Sequence, residues 1–205
     1  MPNIKPKVTA LVLAAGKGTR FGGDKLLHAI PYTNQDGTIS TSAIGLISAL
    51  NVKPHVDDVL CVVRPHDHDL INLYKEHGLS IVTNDEYEVG LSTSIQKGIE
   101  SIKPNHHIMI CLADMPLIQA HSYQGLIKHF NADPNLICRP YNTEYIHEQP
   151  GHPVIFPCSL KPLLLTLDGD KGAQGLISQH PINLVSVCDK GIYLDIDTQQ
   201  DLQKI

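Results

Sequence analysis

The chain has 205 residues, 42% hydrophobic and 18% charged, with 15 glycines and 14 prolines, which excludes a disordered or collagen-like polymer. Its length suffices for one core that buries roughly 70% of the unfolded-chain surface. A net charge of −5 argues against a nucleic-acid binder, and no apolar run approaches the ~20 residues of a membrane span, so a soluble cytoplasmic protein is expected.

In chain order, VTALVLA (8–14) predicts a first strand over about 7–14, and it ends in the glycine-rich AAGKGTRFGGDK. SAIGLISAL (42–50) has helical spacing, VLCVV (59–63) reads as a strand, a polar helix follows over about 66–77, and LSIVT (79–83) is a further strand. Leu91, Ile95, Ile99 and Ile102 form one helical stripe, and the uniformly apolar IMICL (108–112) is the pattern of a strand covered on both faces. Tyr123, Leu126, Ile127 and Phe130 repeat the helical spacing before the strand NLICR (135–139). The periodicity lapses from Tyr141 to Pro157, where only VIF reads as a strand. Two short helices are expected around Leu160–Leu164 and Ala173–Ile177, then late strands in NLVSV and GIYLDI. TQQDL opens a last helix, with Thr198 and Asp201 spaced as a capping box. Strands alternating with helices predict a single α/β domain over 1–205 with a mostly parallel sheet, its site beyond the C-terminal strand ends.

The charge distribution points to one such end. Residues 1–30 carry Lys5, Lys7, Lys17, Arg20 and Lys25 against Asp24, a local +4 where the remainder carries −9, so a small polyanion is accommodated and long DNA repelled. Gly16, Gly18, Gly22 and Gly23 stand among these cations. Backbone N–H groups in such a loop approach phosphate oxygens closely. It is not a Walker loop, because GDK replaces GKS or GKT, and GKGTRF places phenylalanine where the dinucleotide fingerprint needs its last glycine. The loop is either a flexible turn after a strand or a phosphate loop of another kind, whose three cations in nine residues suggest a nucleoside triphosphate attacked at its α-phosphate.

Asp114 in CLADMPLI falls just past a strand, where a carboxylate can hold Mg²⁺ against phosphate oxygens; it would otherwise cap the next helix. Asp195 and Asp197 in YLDIDT are candidates for a second ligand, while Asp168 and Asp170 read as a turn. His152 is fixed between Gly151 and Pro153, HDHD (66–69) reads as an exposed helix start, and Ser92 and Ser94 start a helix or touch substrate. The five cysteines are odd in number and widely spaced, which fits small core residues rather than a zinc cluster.

LAAGKGTRFGGDKLL, GLSTSI, CLADMPLI, PGHPVIFP, GDKGAQGLI and DIDTQQDL stand in the order of the MobA-like nucleotidyltransferases, and the chain resembles their molybdenum cofactor cytidylyltransferase branch. The resemblance implies a three-layer α/β/α, Rossmann-like nucleotidyltransferase fold with a mixed, mostly parallel sheet. It assigns Leu13, Ala14, Ala15, Gly16, Lys17 and Gly18 to the nucleotide, Arg20 and Lys25 to the triphosphate, and Ser92 to the substrate side. Asp114 would bind Mg²⁺, completed by Asp195 with Asp197 as substitute, and Gly151, His152 and Gly172 would line the pterin side. The implied reaction joins CTP and molybdopterin with release of pyrophosphate, a molybdenum enzyme receiving the product. Ala15 and Phe21 favour CTP; Gly23 and Asp24 lean toward the guanylyl branch. HAIPYTNQDGTISTSAIG departs from the family pattern with an extra hairpin-like turn at Asn34, Asp36 and Gly37, leaving another phosphorylated acceptor open. A cofactor-binding chaperone without turnover is the alternative from another class.

Overall fold

The computed structural model describes residues 5–33, 37–145, 150–170 and 172–204. Its strands are β1 (Val8–Leu13), β2 (Ala29–Thr33), β3 (Ile39–Ala43), β4 (Asp58–Val63), β5 (Ser80–Thr83), β6 (His107–Leu112), β7 (Ile137–Tyr141), β8 (Val154–Phe156) and β9 (Ile182–Ser186). The α-helices are α1 (Ile44–Val52), α2 (His68–Glu76), α3 (Leu91–Ser101), α4 (Ala120–Ala132), α5 (Lys161–Leu164) and α6 (Gln174–Ser178).

Seven strands form one sheet in the order β5-β4-β1-β6-β8-β7-β9. All its pairings are parallel except those of β8, which runs antiparallel to β6 and β7. β1 lies inside the sheet between β4 and β6, wholly buried, and its alternation divides the core. Val8, Ala10 and Val12 pack toward α1, α2 and α4, whereas Leu11 and Leu13 pack toward α3, α5 and α6. The result is the expected three-layer α/β sandwich. Each fully buried Leu or Ile there contributes about 1.5–3 kcal/mol. Gly98 lets α3 lie close on the sheet, since a Cβ there would meet Leu11 Cδ1 at 2.2 Å.

β2 and β3 form a separate antiparallel ribbon from Ala29↔Ala43 to Thr33↔Ile39. The turn expected at Asn34 and Asp36 lies outside the described residues, as does Lys171 of GDKGAQGLI. Phe21, Ile30, Ile44, Ile47 and Ile196 form a third apolar cluster that anchors ribbon and loop together.

One expected element is absent. GIYLDI is not a strand: Lys190–Tyr193 is a 3₁₀ turn, followed by irregular chain. Tertiary contacts override its apolar alternation. Gly191 presses so closely on Leu117 that a Cβ would meet that carbonyl oxygen at 2.2 Å, and Ile196 N–H donates to the Asp114 carbonyl at 2.9 Å. The last helix is 3₁₀, Gln199–Lys204, and Asp201 accepts from the Thr198 N–H (2.7 Å) and Oγ1 (2.8 Å), as the capping spacing predicts.

Candidate active site

The carboxyl ends of β1, β4 and β6 form one rim. After β1 the chain leaves the sheet with Ala14 N–H still bonded to Val62 O (2.8 Å), then coils through the glycine-rich loop. Gly18 has φ +59°, a left-handed conformation that an L side chain would strain. Phe21 N–H closes a turn onto Gly18 O (3.1 Å), and the buried Phe21 ring pins the loop to the third cluster. The loop therefore returns its Lys25 to the rim, at the start of a 3₁₀ turn, Lys25–Leu27.

Lys25 is 9% exposed, and its ammonium donates to Asp114 Oδ2 at 2.7 Å and Asp197 Oδ1 at 3.0 Å. Arg20, largely exposed, donates from Nη1 to the other oxygen of Asp197 at 3.2 Å. Burial works against the Lys25 charge, but Asp114 and then Asp197 outweigh it, so its pKa stands above the ordinary lysine value. Asp195 is exposed and lies one residue from the Ile196–Asp114 backbone bond. Desolvation by nearby chain raises its pKa, and the like charges of Asp197 and Asp114 add to the rise, against Lys25 and a bond to its own backbone. Of the two late carboxylates, Asp197 is the one that the structure joins to Asp114, through the lysine.

A cavity of about 300 Å³ opens beside this cluster. Leu13, Ala14, Gly16, Lys17, Gly18, Lys25 and Asp114, all singled out in the sequence, line it. A Cβ at Gly16 would meet nothing within 4 Å, so backbone there is open to a ligand. Ala15 is buried and does not line the cavity, and Arg20 stands at the carboxylates outside it. Arg64 also lines the cavity, as do His66–Asp69, read from the sequence as a helix start that α2 bears out; Arg64 Nε binds Asp67 Oδ2 at 2.7 Å. Their position after β4, on the same rim as the loop, was the available signal.

A second cavity, about 160 Å³, lies across Leu13 on the α3 side and brings His152 and Gly172 together. Gly151 supports it from behind: its N–H bonds Pro140 O (2.8 Å), and a Cβ would meet Ile192 O at 2.4 Å. The His152 imidazole is held down at about 4 by burial first and by Arg139 second. Ser92 lines neither cavity. It is buried, and its N–H donates to Gly169 O (3.2 Å), while Ser94 accepts from Asn84 Nδ2 (3.0 Å).

The carboxylates of Asp114 and Asp197 converge on one ammonium beside the cavity, and such hard oxygen donors suit a magnesium-type cation. Among the described residues, however, no group of three or more His, Cys, Asp or Glu side chains is arranged to hold a metal by itself. None of the described helices is long and apolar enough to cross a membrane.

Two curated relatives align with the chain. A probable molybdenum cofactor guanylyltransferase of Pyrococcus horikoshii is 28% identical over 134 residues, 65% of this chain and 62% of that protein. One of Thermococcus sibiricus, with the same name, is 26% identical over 130 residues, 63% of this chain and 60% of that one. The alignments thus span about three fifths of these relatives' length. The crystal structure of Rv0371c from Mycobacterium tuberculosis superposes with a TM-score of 0.77 over 98% of this chain and 97% of that chain, at 23% identity, a likeness of fold. The relatives overturn the expected cytidylyltransferase assignment. The two residues that carried it are core residues: Ala15 is 3% exposed, and Phe21 packs edge-on against His28 at 5.3 Å. Gly23 and Asp24, which leaned the other way, line the nucleotide-sized cavity. The profile of the MobA-like NTP transferase domain matches residues 10–184, and with it the chain belongs to that family of nucleotidyltransferases.

Proposed function

We propose that the chain transfers a nucleotidyl group from a nucleoside triphosphate, GTP by analogy with the names of both curated relatives, to the phosphate of a small acceptor molecule, releasing pyrophosphate. The observation that carries this reading is the Lys25 ammonium held between Asp114 and Asp197 at the mouth of the glycine-lined cavity.

Such an arrangement is preassembled for exchange. An arriving triphosphate competes for Lys25 and Arg20, whose N–H donors then face phosphate oxygens instead of carboxylates. Asp114, with Asp197 and the neighbouring Asp195, is left to hold Mg²⁺, which would supply charge stabilisation at the phosphates when bound. The acceptor phosphate is itself the nucleophile, so no covalent enzyme intermediate is required. The protein contributes alignment and electrostatics. Loop backbone around Gly16 and Gly18 supports the phosphates, and the wall from Arg64 to Asp69 faces the rest of the nucleotide.

The test is pyrophosphate release with GTP, CTP, ATP and UTP in turn, each offered with molybdopterin, a sugar phosphate and methylerythritol phosphate, with and without Mg²⁺. The reading expects release with GTP that depends on a phosphorylated acceptor. Release with none of the combinations, or release independent of acceptor, would refute it.

A further inference from the structure

Asp189 lies outside the transfer site, yet it is a carboxylate held 2% exposed at the head of the turn that leads into the late acidic segment. Its Oδ2 accepts from the Gln119 N–H at 2.9 Å and from the Ser122 hydroxyl at 2.6 Å, and its Oδ1 accepts from the Gly191 N–H at 2.8 Å. Ser122 is itself fully buried. Three donors converge on one group, which suits a carboxylate because it only accepts; an amide would turn its NH₂ on a donor. A charge buried this deeply is tolerable only where such bonds are made. A cap for α4 would need no link to the acidic segment, since a local Ser or Asn supplies one.

The bonds of Asp189 join two segments far apart in sequence. One runs from Asp114 to the start of α4, and the other from Asp189 to Asp197. They pass each other in opposite directions and meet at three points. Asp189 holds Gln119 at one end, and the Ile196 N–H donates to the Asp114 carbonyl at 2.9 Å at the other. Between them Gly191 presses on Leu117, where a Cβ would stand 2.2 Å from the carbonyl oxygen. Beyond the last contact the side chains of Asp114 and Asp197 are bridged by the Lys25 ammonium, at 2.7 and 3.0 Å. That bridge is lost when Lys25 turns to a triphosphate, and the two carboxylates then repel. What still opposes their separation is the backbone seam that Asp189 closes.

We propose that Asp189 is a positioning residue of this rim: it locks the two segments in register, keeps Asp114 and Asp197 apposed once Lys25 is drawn away, and so sets the affinity of the pair for a divalent cation. The departure of Lys25 rests on the proposed function; the seam and its effect on cation affinity do not.

Free Mn²⁺, counted by electron paramagnetic resonance without nucleotide, reads that affinity in the absence of turnover, and Asp114→Asn marks the binding that belongs to this rim. Wild type and Lys25→Ala are each compared with and without Asp189→Asn. In Lys25→Ala the substitution should weaken Mn²⁺ binding about tenfold, the loss expected when a group that orients metal ligands is removed. With Lys25 in place the loss should be smaller, about threefold, because misaligned carboxylates also lose their grip on the lysine that Mn²⁺ displaces. Asp189→Asn lowers the urea midpoint whatever its role. Phe130→Leu, at the far end of α4 beside His107, is therefore the destabilised comparator, and it should bind Mn²⁺ as its parent does. Should Asp189→Asn fail to fold, Ser122→Ala, which leaves Asp189 its two backbone donors, should still weaken Mn²⁺ binding in Lys25→Ala by about threefold. Unchanged affinity in the Lys25→Ala background, an equal loss in both backgrounds, or the same loss in Phe130→Leu would reduce Asp189 to a strut and overturn the proposal. So would the absence of any Mn²⁺ binding that Asp114→Asn removes. A chain that released no pyrophosphate would defeat the proposed function while this readout still judged the seam.

Discussion

The two cavities share Leu13 and differ in how they hold charge. On the nucleotide side every cation of the cluster already has a carboxylate: Lys25 has Asp114 and Asp197, and Arg20 has Asp197. On the α3 side the guanidinium of Arg139 has, among the described residues, the Gly151 and Pro150 carbonyls, and burial holds the imidazole beside it low. On the paired side the arrangement follows from what the proposed reaction asks of it. Groups that must trade partners when a triphosphate arrives are kept in pairs, so each cation exchanges one anion for another rather than standing alone. Arg139 and His152 are instead fixed among apolar side chains, where a change of charge is costly.

Breaking the paired side should give the largest effect. Asp114→Asn removes the carboxylate nearest Lys25 and one of the three that would hold a metal. Turnover should fall by two to four orders of magnitude, about 3–5 kcal/mol of transition-state stabilisation. Nucleotide binding, read by calorimetry, should persist through the loop. Lys25→Ala should cost about one to three orders of magnitude, since an ammonium facing developing phosphoryl charge is worth a few kcal/mol. Initial rates at several Mg²⁺ concentrations distinguish the two, because only the Asp114 variant should lose the metal dependence. Wild-type rates in either variant would remove the cluster from catalysis.

The neutral side is sharpened by pH. The His152 imidazole sits at about 4 in the folded chain against 6.5 for the free residue. Between these values the unfolded chain binds the extra proton, so stability is complete above about 6.5 and is lost as pH falls toward 4. The loss reaches about 3 kcal/mol at most. Burial depresses His55, His106 and His107 as well, so the wild-type slope alone does not isolate His152. Urea midpoints at pH 7 and pH 4.5 for wild type and His152→Phe do, and the variant should lose less on acidification. Equal losses would mean that the second cavity tolerates a second positive charge.

The same contrast explains which features the sequence disclosed. The strand–loop after β1 and Asp114 after β6 were legible because uniform apolar runs end abruptly in glycine or carboxylate, a purely local signal. The third cluster hid the role of Phe21, which reads as part of a nucleotide motif and acts as a core residue. Arg139 passed as the polar end of a strand, because nothing local says that a cation is covered by a distant segment. The relation of Asp195 to Asp197 was also out of reach. It depends on the Ile196–Asp114 backbone bond, across more than eighty residues of chain, and that bond replaces the strand suggested by the alternation of GIYLDI.

The smallest expected effect concerns Asp195, and its sign is opposite to the others. Asp195 carries a raised pKa from desolvation and from the like charges of Asp197 and Asp114. A carboxylate whose pKa is raised on folding binds its proton more tightly in the folded chain. Its ionised form therefore costs stability, with the penalty absent below the unfolded value of 3.8, growing as pH rises through the folded value, and constant beyond. Asp195→Asn should thus stabilise the protein at pH 7 and leave it unchanged at pH 3. Because Asp195 is exposed, solvent screens the repulsion, and the gain should stay below about 1 kcal/mol. Thermal unfolding at low ionic strength is the suitable measurement, and the gain should shrink in 1 M salt, where the Debye length is about 3 Å. Millimolar Mg²⁺ should narrow it too, since a cation relieves in the wild type the repulsion that the substitution removes. A loss of stability at pH 7 would mean that Asp195 is a structural anchor, and the carboxylates of this rim would then no longer be divided into two paired by Lys25 and one left in repulsion.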